Sequence, residues 1–139
     1  MKFTGDKINL VVYATKTKIR LAKLILQQRI KNISVHMERI EKLKEFLESS
    51  PSDSFLQHAL ALEYSKRGDE KSARTLFEEI LTREPGYIGS YYHLAKLLER
   101  INETDAAIGW YEKGMEAAKK AGDNHALSEL RSAYEEMMF

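Results

Sequence analysis

The side chains best suited to hold a metal ion or move a proton near neutral pH are four histidines, His36, His58, His93 and His125. No two of them stand four apart, the spacing that puts two ligands on one face of a helix. If His58, His93 and His125 lie on successive parallel helices, they could approach one another along one surface, so a metal site is conceivable. Polar lining is the plainer reading, and the expectation is no metal and no cofactor. Carboxylates are abundant, but Glu78 with Glu79 and Glu135 with Glu136 read as solvated helix faces rather than acid–base pairs. The sequence has no cysteine, so disulfides and thiolate chemistry are excluded and an intracellular, cytoplasmic protein is favoured. No nucleophile elbow, phosphate loop, HExxH or EF-hand pattern occurs. The expectation is therefore a non-enzymatic protein with no catalytic residues and no small-molecule substrate.

Surfaces rather than reactive groups must then carry function, and their placement depends on the helices that bear them. Two prolines and seven glycines in 139 residues, with Leu, Ala, Glu and Lys abundant, indicate an all-α protein. The longest apolar run, Ile8 to Ala14, is about a third of the roughly 20 residues that a membrane span needs. Net charge is +1, but residues 1–36 hold eight Lys or Arg against the single Asp6, leaving residues 37–139 at −6. A boundary near Met37 follows from that split.

Laid on itself with an offset of 34 residues, the sequence repeats its apolar phase. Pro51 falls on Pro85, Leu43 on Phe77 and then Tyr111, Leu47 on Leu81, Leu60 and Ala61 on Leu94 and Ala95, and Ala73 on Ala107. A fixed period of this size marks stacked supersecondary units. Within a unit the spacing is helical: Leu56, Leu60 and Tyr64 stand four apart, Ser52 or Asp53 can cap the start, and Gly68 suits the residue past the end. The partner helix begins at the Asp69 cap, buries Ala73, Leu76, Phe77, Ile80 and Leu81, and must stop before Pro85. A second pair spans about Tyr87–Ile101 and Thr104–Ala121, with Asn102 at its corner. Gly122 ends it, and Asp123 or Asn124 caps a last helix bearing Leu127, Leu130 and Tyr134.

The L-A-x-x-Y spacing of Leu60, Ala61 and Tyr64, with Gly68-Asp69, Ala73, Phe77, Pro85, Leu94, Ala95, Ala107 and Tyr111, resembles a tetratricopeptide repeat protein. The resemblance implies an α-α superhelix of antiparallel helix pairs with a C-terminal capping helix. It covers roughly residues 37–139, with repeats at about 54–87 and 88–121 and the cap at about 124–138. Gln57, Leu98 and Gly114 depart from the family pattern without breaking helix packing.

The family holds peptides on the inner surface formed by the first helices of its pairs. The resemblance assigns to that groove Phe55, His58, Ala59, Leu62 and Ser65, then Tyr92, His93, Lys96 and Glu99, then His125, Ser128 and Ser132 from the cap. Apolar and aromatic surface beside a cation suits a peptide or protein segment. The competing reading is that Phe55 and Tyr92 only complete packing between repeats. Family members that grip a C-terminal carboxylate do so with Lys, Asn and Arg, where this chain has His58, Leu62, His93 and Glu129, so a clamp of that kind is not expected. Met137, Met138 and Phe139 form an apolar terminus that could join a second copy, making a self-associating structural protein and homo-oligomer the rival function.

Residues 1–36 are expected to be a basic segment, partly helical or flexible. Lys16, Arg20, Lys23, Gln27 and Lys31 follow one helical face, and Ile19, Ala22, Leu26, Ile30 and Ile33 the other. Three readings compete. Residues 16–35 could form a degenerate repeat helix packed on residues 38–48, whose own buried face would be Ile40, Leu43, Phe46 and Leu47. Residues 16–31 could instead lie on an anionic membrane or a nucleic-acid backbone. Or residues 1–36 could lie outside the working protein, with Met37 its effective start.

Overall fold

The computed structural model describes residues 3–139, with side chains from Lys7 onward. Residues 1 and 2 of the expected basic segment lie outside the described residues. Six helices and no strand occur among the described residues: α1 Phe3–Ser49, α2 Ser54–Arg67, α3 Glu70–Arg83, α4 Gly89–Arg100, α5 Thr104–Ala121 and α6 Asn124–Met138. The chain divides into two compact units, with the division between Glu38 and Arg39.

The first unit is helical over all its described residues, and the reason is visible in the sequence. Between Gly5 and Pro51 there is neither glycine nor proline, so nothing interrupts the ladder of hydrogen bonds. Residues 16–35 and 38–48, expected to be two separate helices of a pair, both fall within the single helix Phe3–Ser49. Ile19, Leu26, Ile30 and Ile33 are all exposed.

The second unit is a helical-repeat solenoid, and side chains cap the starts of α2, α3 and α6. Asp53 accepts from the Leu56 N–H at 2.9 Å, Asp69 from Ser72 at 3.2 Å and Asp123 from Ala126 at 3.0 Å. Each cap satisfies an amide that the helix cannot, typically about 1 kcal/mol. Gly68 and Gly122 close α2 and α5 with φ of 85° and 70°, a conformation that other L residues resist. Asn102 turns the α4–α5 corner at φ 61°. After α3, Pro85 offers its carbonyl to the Tyr91 hydroxyl at 2.8 Å. That bond ties the inter-repeat loop to α4, which begins at Gly89, two residues later than expected.

α2 packs on α3, α4 on α3 and α5, and α6 on α5. Ala61, Ala73, Phe77, Leu81, Leu94, Ala95, Ala107 and Tyr111, all marked by the 34-residue beat, are buried in one continuous core together with Leu98. Burying each large member contributes about 1.5–3 kcal/mol, while the alanines let helix axes approach. Ile40 is buried, Leu43 and Leu47 are half-buried, and Phe46, expected inside with them, is 62% exposed. Phe46 stands six residues after Ile40, which turns it away from the stripe carried by positions 40, 43 and 47.

Polar side chains link helices within a repeat and between repeats. Arg83 donates to Ser54 Oγ at 2.7 Å and to Gln57 Oε1 at 2.8 Å, and Ser54 donates to Glu84 at 2.7 Å. Arg100 reaches Ser65 and Glu70, and Arg74 reaches Glu78 and Glu103. The exposed pairs of Arg100 and of Arg74 with Glu103 each contribute little, but they fix the helix register at several points.

Candidate functional site

The groove residues predicted from sequence fall on α2 and α4, and the structure brings some together while leaving others apart. His58 on α2 and His93 on α4 have ring centroids 5.4 Å apart, edge to face. Phe77 stacks on His93 at 6.2 Å and meets the edge of His58 at 5.5 Å, while Tyr92 meets His93 at 5.7 Å. Tyr87, from the loop before α4, closes the cluster at 5.5 Å from His58. The result is a rigid aromatic patch across the α2–α4 junction.

His58 is more than lining. Its Nδ1 shares a hydrogen bond at 2.8 Å with the Oγ of fully buried Ser90. Burial, and then the neighbouring His93, hold the imidazole down to about 4, so it is neutral at physiological pH. His93 is also lowered, chiefly by desolvation; the residue keeps an open side, but its ring is flanked by His58, Phe77 and Tyr92. The sequence marks His58 but gives no sign of Ser90 as its partner.

Lys96 and Glu99, one turn apart on α4, form an ion pair at 3.1 Å, and Glu99 also accepts from the Tyr111 hydroxyl at 3.1 Å. The Tyr111 phenol is pushed up by burial and then by Glu99, so it stays a donor. Glu99 thus joins the groove side of α4 to the core. Leu62 and Tyr92 are half-buried against the same core. Phe55, at the start of α2, is 70% exposed and is the least covered apolar member of the set. His125, Ser128 and Ser132 are exposed on α6, and no ring contact joins His125 to the other histidines. Among the described residues no group of three His, Asp or Glu could hold a metal ion.

Two clefts lie elsewhere. One is lined by Pro85, Tyr91, Lys113, Glu116 and Ala117, the other by Met115, Leu127, Arg131 and Tyr134 between α5 and α6. Lys113 stacks 4.5 Å over the Trp110 ring beside the first of them. The sequence does not mark either, because each lies where α5 meets a neighbouring element, and periodicity assigns Tyr91, Met115, Leu127 and Tyr134 to packing.

A pair of capped antiparallel hairpins with a following helix defines a helical-repeat protein. The description tetratricopeptide repeat matches residues 88–120. A tetratricopeptide repeat domain protein from Salinibacter ruber, known from a crystal structure, is 43% identical over 62% of this chain and 96% of that one, with a TM-score of 0.59. A solution structure of a tetratricopeptide repeat domain protein from the same organism gives 44% identity over 63% and 88%, with a TM-score of 0.60. The chain belongs to the tetratricopeptide repeat family. The TPR2B domain of yeast Sti1, in its complex with pHsp70, is 13% identical over 71% of this chain and 79% of that one and shares the fold at a TM-score of 0.67. A comparison with curated proteins gives no match.

Proposed function

We propose that residues 54–138 are a non-enzymatic protein-interaction module that holds a peptide or protein segment against the α2–α4 face. The observation that carries this reading is Phe55, 70% exposed one helical turn ahead of His58 and the ring cluster. An apolar anchor beside preorganised rings, with the Lys96–Glu99 pair within the same helix face, offers a partner one greasy contact and two charges to satisfy. The rings are already fixed by packing, so little side-chain entropy is lost when a segment binds. A neutral His58 adds no repulsion toward a cationic segment. The cysteine-free composition supports an intracellular location as part of the same proposal. Peptide display panned on the wild-type chain and on Tyr92→Ala plus Lys96→Glu tests the groove: the account expects sequences enriched by the first and not by the second, and identical enrichment from both would contradict it.

A second reading is favoured by a separate observation. Met138 and Phe139 are exposed at the end of α6, where Met137 packs partly against the core. A second copy covering them would make the chain a self-associating structural protein.

A further inference from the structure

From Lys7 to Met37 the helix carries seven Lys or Arg and no Asp or Glu. Over the same stretch its large apolar side chains are uncovered: Ile19, Leu26, Ile30 and Ile33 are each between 52% and 58% exposed. At 3.6 residues per turn those four fall within about 60° of arc, and Lys16, Arg20, Lys23 and Lys31 occupy an adjoining sector of about 80°. Leu21, Leu24 and Ile25 form a second exposed apolar sector, about 110–150° from the middle of that arc and beyond the basic sector, and Lys18 and Arg29 lie between the two apolar sectors on the other side.

An occupant of this face must satisfy both features at once. A second copy of the helix would cover the apolar residues, but it would set seven cations against seven with no intervening acid. A nucleic-acid backbone would neutralise the cations and leave the isoleucines and leucines in water. Spanning a bilayer is closed to it, since among the described residues no helix is long and apolar enough to cross a membrane. A surface of anionic phospholipid meets both requirements, because acyl chains take the apolar arc while phosphate and carboxylate headgroups meet the Lys and Arg beside it. We propose that residues 7–37 bind in the plane of an anionic bilayer surface, independently of what the α2–α4 face holds.

The test uses the full chain and extruded vesicles of phosphatidylcholine alone or with about a third phosphatidylserine, in a co-sedimentation assay. Partition onto the anionic vesicles should exceed that onto phosphatidylcholine by about tenfold or more, and should fall by a similar factor between about 0.1 M and about 0.5 M NaCl as charge is screened. Leu26→Gln plus Ile30→Gln keeps every charge and the helix propensity, and should lose about tenfold in partition. Lys16→Gln plus Lys23→Gln keeps the apolar arc and should weaken both the partition and its salt dependence. Equal binding to both vesicle types, or none to either, overturns the proposal. So does a wild-type dimer in sedimentation that Leu26→Gln plus Ile30→Gln makes monomeric without any vesicle binding, which would name a second copy as the occupant. Binding to duplex DNA that survives Leu26→Gln plus Ile30→Gln, with no vesicle binding, would name the nucleic-acid backbone instead.

Discussion

Gly114 on α5 lies so close to Tyr91 on α4 that a Cβ built at position 114 would stand 2.7 Å from the Tyr91 Cβ and 3.2 Å from the Leu130 Cδ1. Neither neighbour can retreat easily. The Tyr91 atom is the root of its side chain, and its hydroxyl is tied to the Pro85 carbonyl. The single hydrogen at position 114 therefore sets how closely α4, α5 and α6 can pack.

Gly114→Ala should destabilise the fold by about 1–3 kcal/mol through overpacking, with a lower melting temperature in calorimetry. Gly109→Ala, in the same helix, is the control. A Cβ there meets nothing within 4 Å, so helix propensity alone should leave stability unchanged or raise it by up to about 1 kcal/mol. Equal effects from the two substitutions would show that the Tyr91 contact does not limit packing.

The glycines that end α2 and α5 test a different cause. Gly122 has φ 70° and open space around a built Cβ, so Gly122→Ala should cost about 1–2 kcal/mol through backbone strain alone. Gly122→Asn, a residue that tolerates the left-handed conformation, should cost less. Chemical denaturation with an unchanged slope checks both.

Much of the fold is legible in the sequence, and the parts that are not share a physical reason. The 34-residue beat located the helix pairs, the Asp69 and Gly68 signals located a corner, and Ala61, Phe77, Leu94 and Tyr111 are buried as expected. Periodicity reports which side of a helix is apolar, not which polar residue will meet it from another helix. Ser90 beneath His58, the Arg83–Ser54–Gln57 network and the close approach at Gly114 arise between residues about 23 to 32 positions apart, a distance over which no local pattern speaks. The boundary near Met37 is read from charge, which carries no information on whether a breaker interrupts the helix spanning residues 3–49.

Stability should fall on acidification, and His58 sets the sign. Its folded-state value, about 4, lies below the ordinary 6.5, so the unfolded chain binds a proton that the folded one excludes. The contribution is present above about pH 6.5 and is lost as pH falls toward 4. Allowing for the partial exposure of the ring, it is on the order of 1–2 kcal/mol. His58→Gln, which can still bond to Ser90, should flatten the unfolding free energy across that window, apart from a smaller slope left by His93. An unchanged slope would place the titrating group elsewhere.

The terminal apolar residues give a prediction for assembly. If Met138 and Phe139 join a second copy, sedimentation of the wild-type chain should show an oligomer that Met137→Glu plus Phe139→Glu converts to monomer. A wild-type monomer whose mass the substitutions leave unchanged would remove self-association through α6.

Amide chemical-shift mapping with a display-selected peptide shows directly which side of the array takes a partner. Perturbations should concentrate between Phe55 and Leu62 on α2 and between Tyr92 and Glu99 on α4, and Tyr92→Ala plus Lys96→Glu should abolish them. Perturbations centred instead on Trp110, Lys113 and Ala117 of α5 would contradict binding at the α2–α4 face.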